Sequence, residues 1–144
     1  MRAAVITEYG RPPAIAEREQ PQGGDGKAIV ELRAAALNPV DLAVASGTFP
    51  AGSPPVPYVP GAEGVGTVVE SGRFAAGTRV WASGRGLGVL ADDTFAERFA
   101  AADEVLVEVP EAASDELAAA LGVAGLAGWL PVTWAAPVRA GETV

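Results

Sequence analysis

The sequence predicts a mainly β domain with some α: a small β-barrel carrying short helices and a helical exit. Three observations predict it. Eighteen glycines and twelve prolines among 144 residues break the chain too often for a helical bundle. Short apolar runs, some with period-two alternation, fall between those breaks. After Ser114 the pattern changes to one that reads as helix, so strands come first and helices last.

Taken in order, Ala3 to Glu8 reads as a first strand closed by the Tyr9-Gly10 turn, and Ala14 to Glu19 as a second. Pro21 to Gly26 is a loop. Lys27 to Leu37 is the clearest strand, with Ile29, Glu31 and Arg33 alternating against Val30, Leu32 and Ala34. Asn38-Pro39 breaks it. Proline suits the first turn of a helix, here running to about Ser46, and Gly47 fits its stop. The four prolines between Ser53 and Pro60 stiffen an extended loop; a proline-rich ligand for an SH3-type partner is the competing reading. Gly64 to Ser71, Arg79 to Ala82, Thr94 to Ala100 and Val105 to Val109 read as four more strands. Ser114 can cap a helix to about Leu121, with Asp115 and Glu116 at its positive dipole end. A second helix over Val123 to Val132 has to accommodate Pro131. Arg139 to Val144 has the form of a turn entering another strand.

Composition excludes several classes of chemistry. Cysteine and histidine are both absent, which removes disulfides, thiol nucleophiles, histidine general bases and the usual zinc ligands. The net charge of −8 and a single lysine, Lys27, disfavour nucleic acid and anionic membrane surfaces. The N-terminus lacks the apolar core of a signal peptide, and no stretch is long and apolar enough to span a bilayer. A cytoplasmic protein is the expectation.

Two glycine clusters invite a nucleotide reading. Gly61-Ala62-Glu63-Gly64-Val65-Gly66 is followed by a strand, and Gly84-Arg85-Gly86-Leu87-Gly88 has neither the spacing nor a helix behind it. Phosphate loops need their glycines at a helix N-terminus, so turns and bulges account for both clusters better. The acidic pairs Asp92-Asp93 and Asp103-Glu104 read as solvated turn residues rather than an acid–base couple. Tyr9 and Tyr58 read as packing residues with a polar tip, and Trp81, Trp129 and Trp134 as core or interface residues.

Several blocks, in this order and spacing, resemble the medium-chain dehydrogenase/reductase superfamily, in particular its zinc-free quinone and enone reductase branch. They are Met1 to Glu8; Leu37-Asn38-Pro39-Val40-Asp41-Leu42 with Ser46-Gly47 and Pro50; and Val59 to Val69, which carries a Pro-Gly-x-Glu-x-x-Gly-x-Val pattern. Gly77-Thr78-Arg79-Val80, Phe95-Ala96-Glu97, Leu121 to Leu130 and Ala140 to Val144 complete the set. Together they cover nearly the whole chain.

The resemblance implies a GroES-like β-barrel over residues 1–121, the substrate-side domain. Residues 122–144 would then be a connecting helix and the entry to a Rossmann domain absent from this chain. It implies NADPH and substrate in the cleft between the two domains. In zinc-dependent relatives the positions of Asn38, Ala62 and Val123 hold cysteine, histidine and cysteine ligands, so the resemblance implies no metal here. It places Asn38 near the nicotinamide and the reacting carbonyl, where its amide can donate to oxygen; the competing reading is a helix N-cap, and both roles can hold at once. Asp41 and Glu63 read as structural carboxylates.

Three departures from the family pattern shape the expected pocket. Ala43 and Phe49 stand where relatives often have tyrosines, and Ala127 where a threonine often faces the cofactor. The expected cofactor contacts are therefore Asn38 and Ala127. The expected substrate pocket is Asn38, Ala43, Phe49 and Tyr58, roomier and more apolar than usual, with solvent as a sufficient proton source. The function implied is reduction of quinones or conjugated carbonyls by hydride transfer. The nucleotide-binding domain would be supplied in cis or in trans, a homodimer is allowed, and the chain alone is expected to be inactive. The alternative is a non-catalytic GroES-like binding or assembly module, since fold does not fix function.

Overall fold

The computed structural model describes every residue except Asp25, Arg85, Gly86, Asp93 and Val144. Among the described residues seven strands and three short α-helices follow one another: β1 (Arg2–Val5), β2 (Ala14–Glu17), β3 (Lys27–Ala34), α1 (Pro39–Ala45), β4 (Glu63–Glu70), β5 (Arg79–Ser83), β6 (Arg98–Ala102), β7 (Leu106–Glu108), α2 (Asp115–Leu121) and α3 (Val123–Leu130). This is the mainly β architecture expected, with its helices placed as read from the sequence.

The strands form two antiparallel sheets rather than one closed barrel. β1 pairs with β2, and the larger sheet runs in the order β6-β3-β4-β5-β7. The expected strand Thr94 to Ala100 divides its work between them. Its first part meets β1, through Ala4 N–H to Phe95 O (2.8 Å) and Glu97 N–H to Arg2 O (3.1 Å). Its second part becomes β6 and pairs with β3, Phe99 opposite Val30. Curvature thus brings the sheets edge to edge without a continuous ladder around the molecule.

β3 does not alternate as cleanly as its sequence. Ala28, Ile29 and Val30 are all buried, although their pairing with β6 stays regular. The register shift beside them puts the extra residue on β4, where Glu70 and Val68 are the partners of Ile29 and Val30 and Val69 is passed over. On β4, Gly66 lies so close to the backbone of Glu31 that a Cβ would strike the Glu31 carbonyl oxygen. Val30, Val68, Val80, Ala82, Phe99 and Leu106 form the core of the large sheet. A second cluster, Ile6, Val44 and Tyr58, seats α1 and the proline-rich loop against the end of β1.

The helix ends follow local chemistry. Pro39 opens α1, and its third residue, Asp41, reaches back to the Asn38 N–H at 2.7 Å. Gly47, with φ of 75°, ends the helix. Ser114 Oγ accepts the Leu117 N–H at 3.1 Å at the start of α2, as its sequence predicts. α3 stops at Leu130, short of the expected Val132, because Pro131 has no N–H to continue the ladder. The chain widens there into one π-type turn, closed by Ala136 N–H to Pro131 O at 2.8 Å. At the C-terminus the expected turn is present, with Glu142 N–H on Arg139 O at 3.1 Å; the strand entry expected after it falls partly on Val144, outside the described residues.

Candidate functional site around Glu63

Four separate stretches of sequence meet at the Glu63 carboxylate. Asn38 comes from the N-cap of α1, Glu63 from the first residue of β4, Trp81 from β5, and Gly122-Val123 from the junction of α2 and α3. Asn38 Nδ2–H donates to Glu63 Oε1 at 2.7 Å. Trp81 Nε1–H and the Val123 backbone N–H both donate to Glu63 Oε2 at 2.8 Å. Glu63 is wholly buried, and Asn38 is 4 % exposed. A buried carboxylate is tolerable because both oxygens are met by N–H groups, one of them at the N-terminus of α3, where the helix dipole favours negative charge.

The surrounding groups fix that arrangement. Gly122 leaves no space for a side chain: a Cβ would run into Glu63 Oε2 and the Trp81 indole nitrogen. This glycine is dictated by close approach, since its φ is −63°. Asp41 accepts the Ala62 N–H at 2.8 Å and the Asn38 N–H at 2.7 Å, so one carboxylate sets both residues flanking the site. Burial pushes the Asp41 carboxyl above its ordinary range, against the lowering effect of those two N–H groups, and nearby Glu63 adds to the rise. The Thr94 hydroxyl donates to the Glu63 carbonyl at 2.8 Å.

The residues expected in the pocket separate into two sets. Phe49 and Tyr58 meet in the cluster below α1, with Ala43 half-buried on that helix. Asn38 belongs instead to the carboxylate network, while Ala127 is exposed on α3. The Tyr58 hydroxyl is buried without a hydrogen-bond partner, and burial raises its pKa above the ordinary value. Tyr9 has the polar tip expected of it, donating to Pro54 O at 2.6 Å. A cavity of about 640 Å³ lies elsewhere, between β2 with its following loop and β6, and is lined by charged groups including Arg18, Lys27, Asp92 and Arg98. The four expected pocket residues do not line it.

The rejected motifs have ordinary places. The first glycine cluster runs directly into β4, and no helix follows it. The second falls partly on Arg85 and Gly86, outside the described residues. Asp92 accepts from Val59 N–H (2.8 Å) and Arg18 (2.9 Å), and Asp103 accepts from Ser71 (2.6 Å); Asp93 is outside the described residues. The signal that sequence reasoning missed was Trp81. Its spacing from Glu63 is regular only once β4 and β5 are paired, Glu63 opposite Ser83 and Val65 opposite Trp81.

Among the described residues no group of three or more His, Cys, Asp or Glu side chains could hold a metal ion. No single helix is long and apolar enough to cross a membrane; α2 and the stretch Val123–Ala135 pass that test only together, bent by 47°.

Residues 24–111 match the alcohol dehydrogenase GroES-like domain family. The chain belongs to that family, the N-terminal part of medium-chain dehydrogenase/reductases, as its motif order implied. It is 30% identical over 151 residues to the quinone oxidoreductase of Homo sapiens, an alignment covering 100% of this chain and 44% of that protein. It is also similar to a solved NAD-dependent alcohol dehydrogenase, with a TM-score of 0.88 at 30% identity over 99% of this chain and 49% of the other. The Thermus thermophilus quinone oxidoreductase, solved also in complex with NADPH, gives a TM-score of 0.76 at 28% identity over 92% of this chain and 40% of that one. The chain therefore spans less than half the length of these relatives.

Proposed function

We propose that this chain is the substrate-side part of a zinc-independent, NADPH-dependent oxidoreductase that reduces quinones or conjugated carbonyls. In this reading residues 1–121 are the substrate domain and residues 122–144 the connection to a nucleotide-binding domain held in cis or in trans. The observation that carries it is the occupation of Glu63. At the positions where zinc-dependent relatives hold ligands, Asn38 and Val123 offer N–H donors to a carboxylate, and Ala62 offers no donor atom on its side chain. Both Glu63 oxygens are already engaged by N–H groups and no cysteine or histidine stands at these positions, so the zinc ligand set is not reproduced and the site supports electrostatic polarisation without a metal.

The described residues do not fit the phosphates of a dinucleotide, because neither glycine cluster opens a helix. The nucleotide's main contacts therefore belong to the other domain, and the isolated chain is inactive. When bound there, reduced nicotinamide supplies the hydride. What this chain contributes is the Asn38 amide as a donor to the substrate oxygen, Ala127 as a small residue on the helix facing the cofactor, and an apolar wall at Ala43, Phe49 and Tyr58. No acid on this wall is required, since solvent can protonate an enolate or hydroquinone. The acidic charge of −8 supports a small-molecule role rather than nucleic-acid binding, and a cytoplasmic setting follows from the same reading.

The test is NADPH oxidation by the full-length protein against a panel of enones and quinones, before and after treatment with a chelator. Turnover unaffected by the chelator is expected. A full-length protein that neither binds NADPH nor reduces any panel member overturns the reading, and turnover lost to the chelator and restored by zinc overturns its metal-free part.

A further inference from the structure

We propose that Glu63 is a positioning residue that aims the Asn38 amide and ties it to the first turn of α3, so that the reacting face and the exit helix move as one. The inference rests on the reading of Asn38 as the group that meets the substrate oxygen, and adds what holds that group in place.

A carboxylate accepts and cannot donate, so the end of Asn38 that faces Glu63 at 2.7 Å is its NH₂. The second Nδ2–H is weakly held, 3.5 Å from Ala36 O, beyond ordinary hydrogen-bond length. One N–H of the amide is therefore fixed and the other is left to be offered. The opposite oxygen of the same carboxylate holds the Val123 N–H and the Trp81 indole N–H, both at 2.8 Å. Any shift of the α3 N-terminus pulls on Oε2 and turns the carboxylate, and Oε1 carries that turn to Asn38. The missing side chain at Gly122 lets the helix come this close.

Glutamine at position 63 cannot reproduce this arrangement. It has one accepting oxygen for donors that lie on both sides, so its NH₂ must face either Asn38 or the Trp81–Val123 pair. Glu63→Gln in the full-length protein is expected to lower kcat about ten- to a hundredfold with a small change in the KM of the carbonyl substrate. Gly122→Ala, which pushes on the same oxygen, is expected to act in the same direction. Val80→Ala, a core truncation on β5, is the control for lost stability and is expected to keep kcat below its unfolding temperature. Asn38→Ala combined with Glu63→Gln should be no slower than Asn38→Ala alone, since the two act through one amide.

A readout that does not need turnover is proton exchange at the Asn38 side-chain amide, followed by NMR on asparagine-labelled full-length protein. One of its two protons should be protected, and the protection should vanish in Glu63→Ala, which has no side-chain acceptor. The inference is overturned if exchange is unchanged in that variant. It is equally overturned if Glu63→Gln loses no more activity than Val80→Ala, or if the losses of Asn38→Ala and Glu63→Gln multiply. Asn38→Ala with full activity removes its premise while leaving the oxidoreductase reading intact. If the full-length protein reduces nothing, that reading fails, and the exchange measurement still decides whether Glu63 holds Asn38.

Discussion

Asp41 lies at the meeting point of two demands. Its two oxygens receive the Asn38 and Ala62 N–H groups, which favour the charged form. Removal from water opposes them and prevails, so the carboxyl titrates above its ordinary value of 3.8. A carboxyl whose folded pKa is raised adds stability below its unfolded pKa and loses it as pH climbs through the folded one. The advantage of the wild-type protein over Asp41→Asn in urea unfolding should therefore be greatest near pH 3 and shrink toward neutrality. An advantage that grows with pH would show that the hydrogen bonds outweigh the burial. Asp41 and Asn38 were legible in the sequence as a motif, and so was the N-cap. The partnership of Asn38 with Glu63 was not, because they stand 25 positions apart, with α1 and the proline-rich loop between them, and no local period links them.

At the scale of elements, local chemistry was the best guide. Pro39, Gly47, Ser114 and Pro131 each mark a boundary because each changes what the backbone can donate or which φ it can adopt. Ser114→Ala should cost about 1 kcal/mol by leaving the Leu117 N–H without its side-chain acceptor, seen as a lower denaturant midpoint with an unchanged slope. A midpoint that does not move would mean water caps α2 equally well. The Asp115 carboxylate on Arg79, at 2.8 Å, remains in that variant and holds the helix to β5. Tertiary pairing set what local rules could not. The strand read over Thr94 to Ala100 begins instead at Arg98, since Phe95 to Glu97 are claimed by β1. Ile29 and Val30 keep the alternation expected of them in the regular pairing with β6, yet both are buried, so period two alone did not tell which face is covered.

For the whole molecule, the last helical stretches carry the largest group of exposed apolar side chains. Leu121, Leu126, Leu130, Trp129 and Trp134 are all exposed, the two tryptophans at 65 % and 79 %. An apolar patch of that kind needs covering. The 144-residue chain alone should self-associate in sedimentation velocity as its concentration rises, and Trp129→Lys with Trp134→Lys should keep it monomeric. A wild-type chain that stays monomeric at high concentration would show that the patch folds back on itself. Composition revealed the abundance of apolar residues but not which of them face out. Trp81 and Trp129 carry the same indole, and only the fold distinguishes the one that anchors a carboxylate from the one that meets solvent.

The stretch Phe95 to Ala102 serves two sheets in succession. A slip by one residue there would turn Phe99 and Ala101 outward and bring Arg98 inward, and it would misalign the hairpin of β1 and β2 in the same stroke. An error in either sheet cannot be hidden from the other. The molecule has a single zip with teeth on both sides, and closing it correctly once aligns both halves.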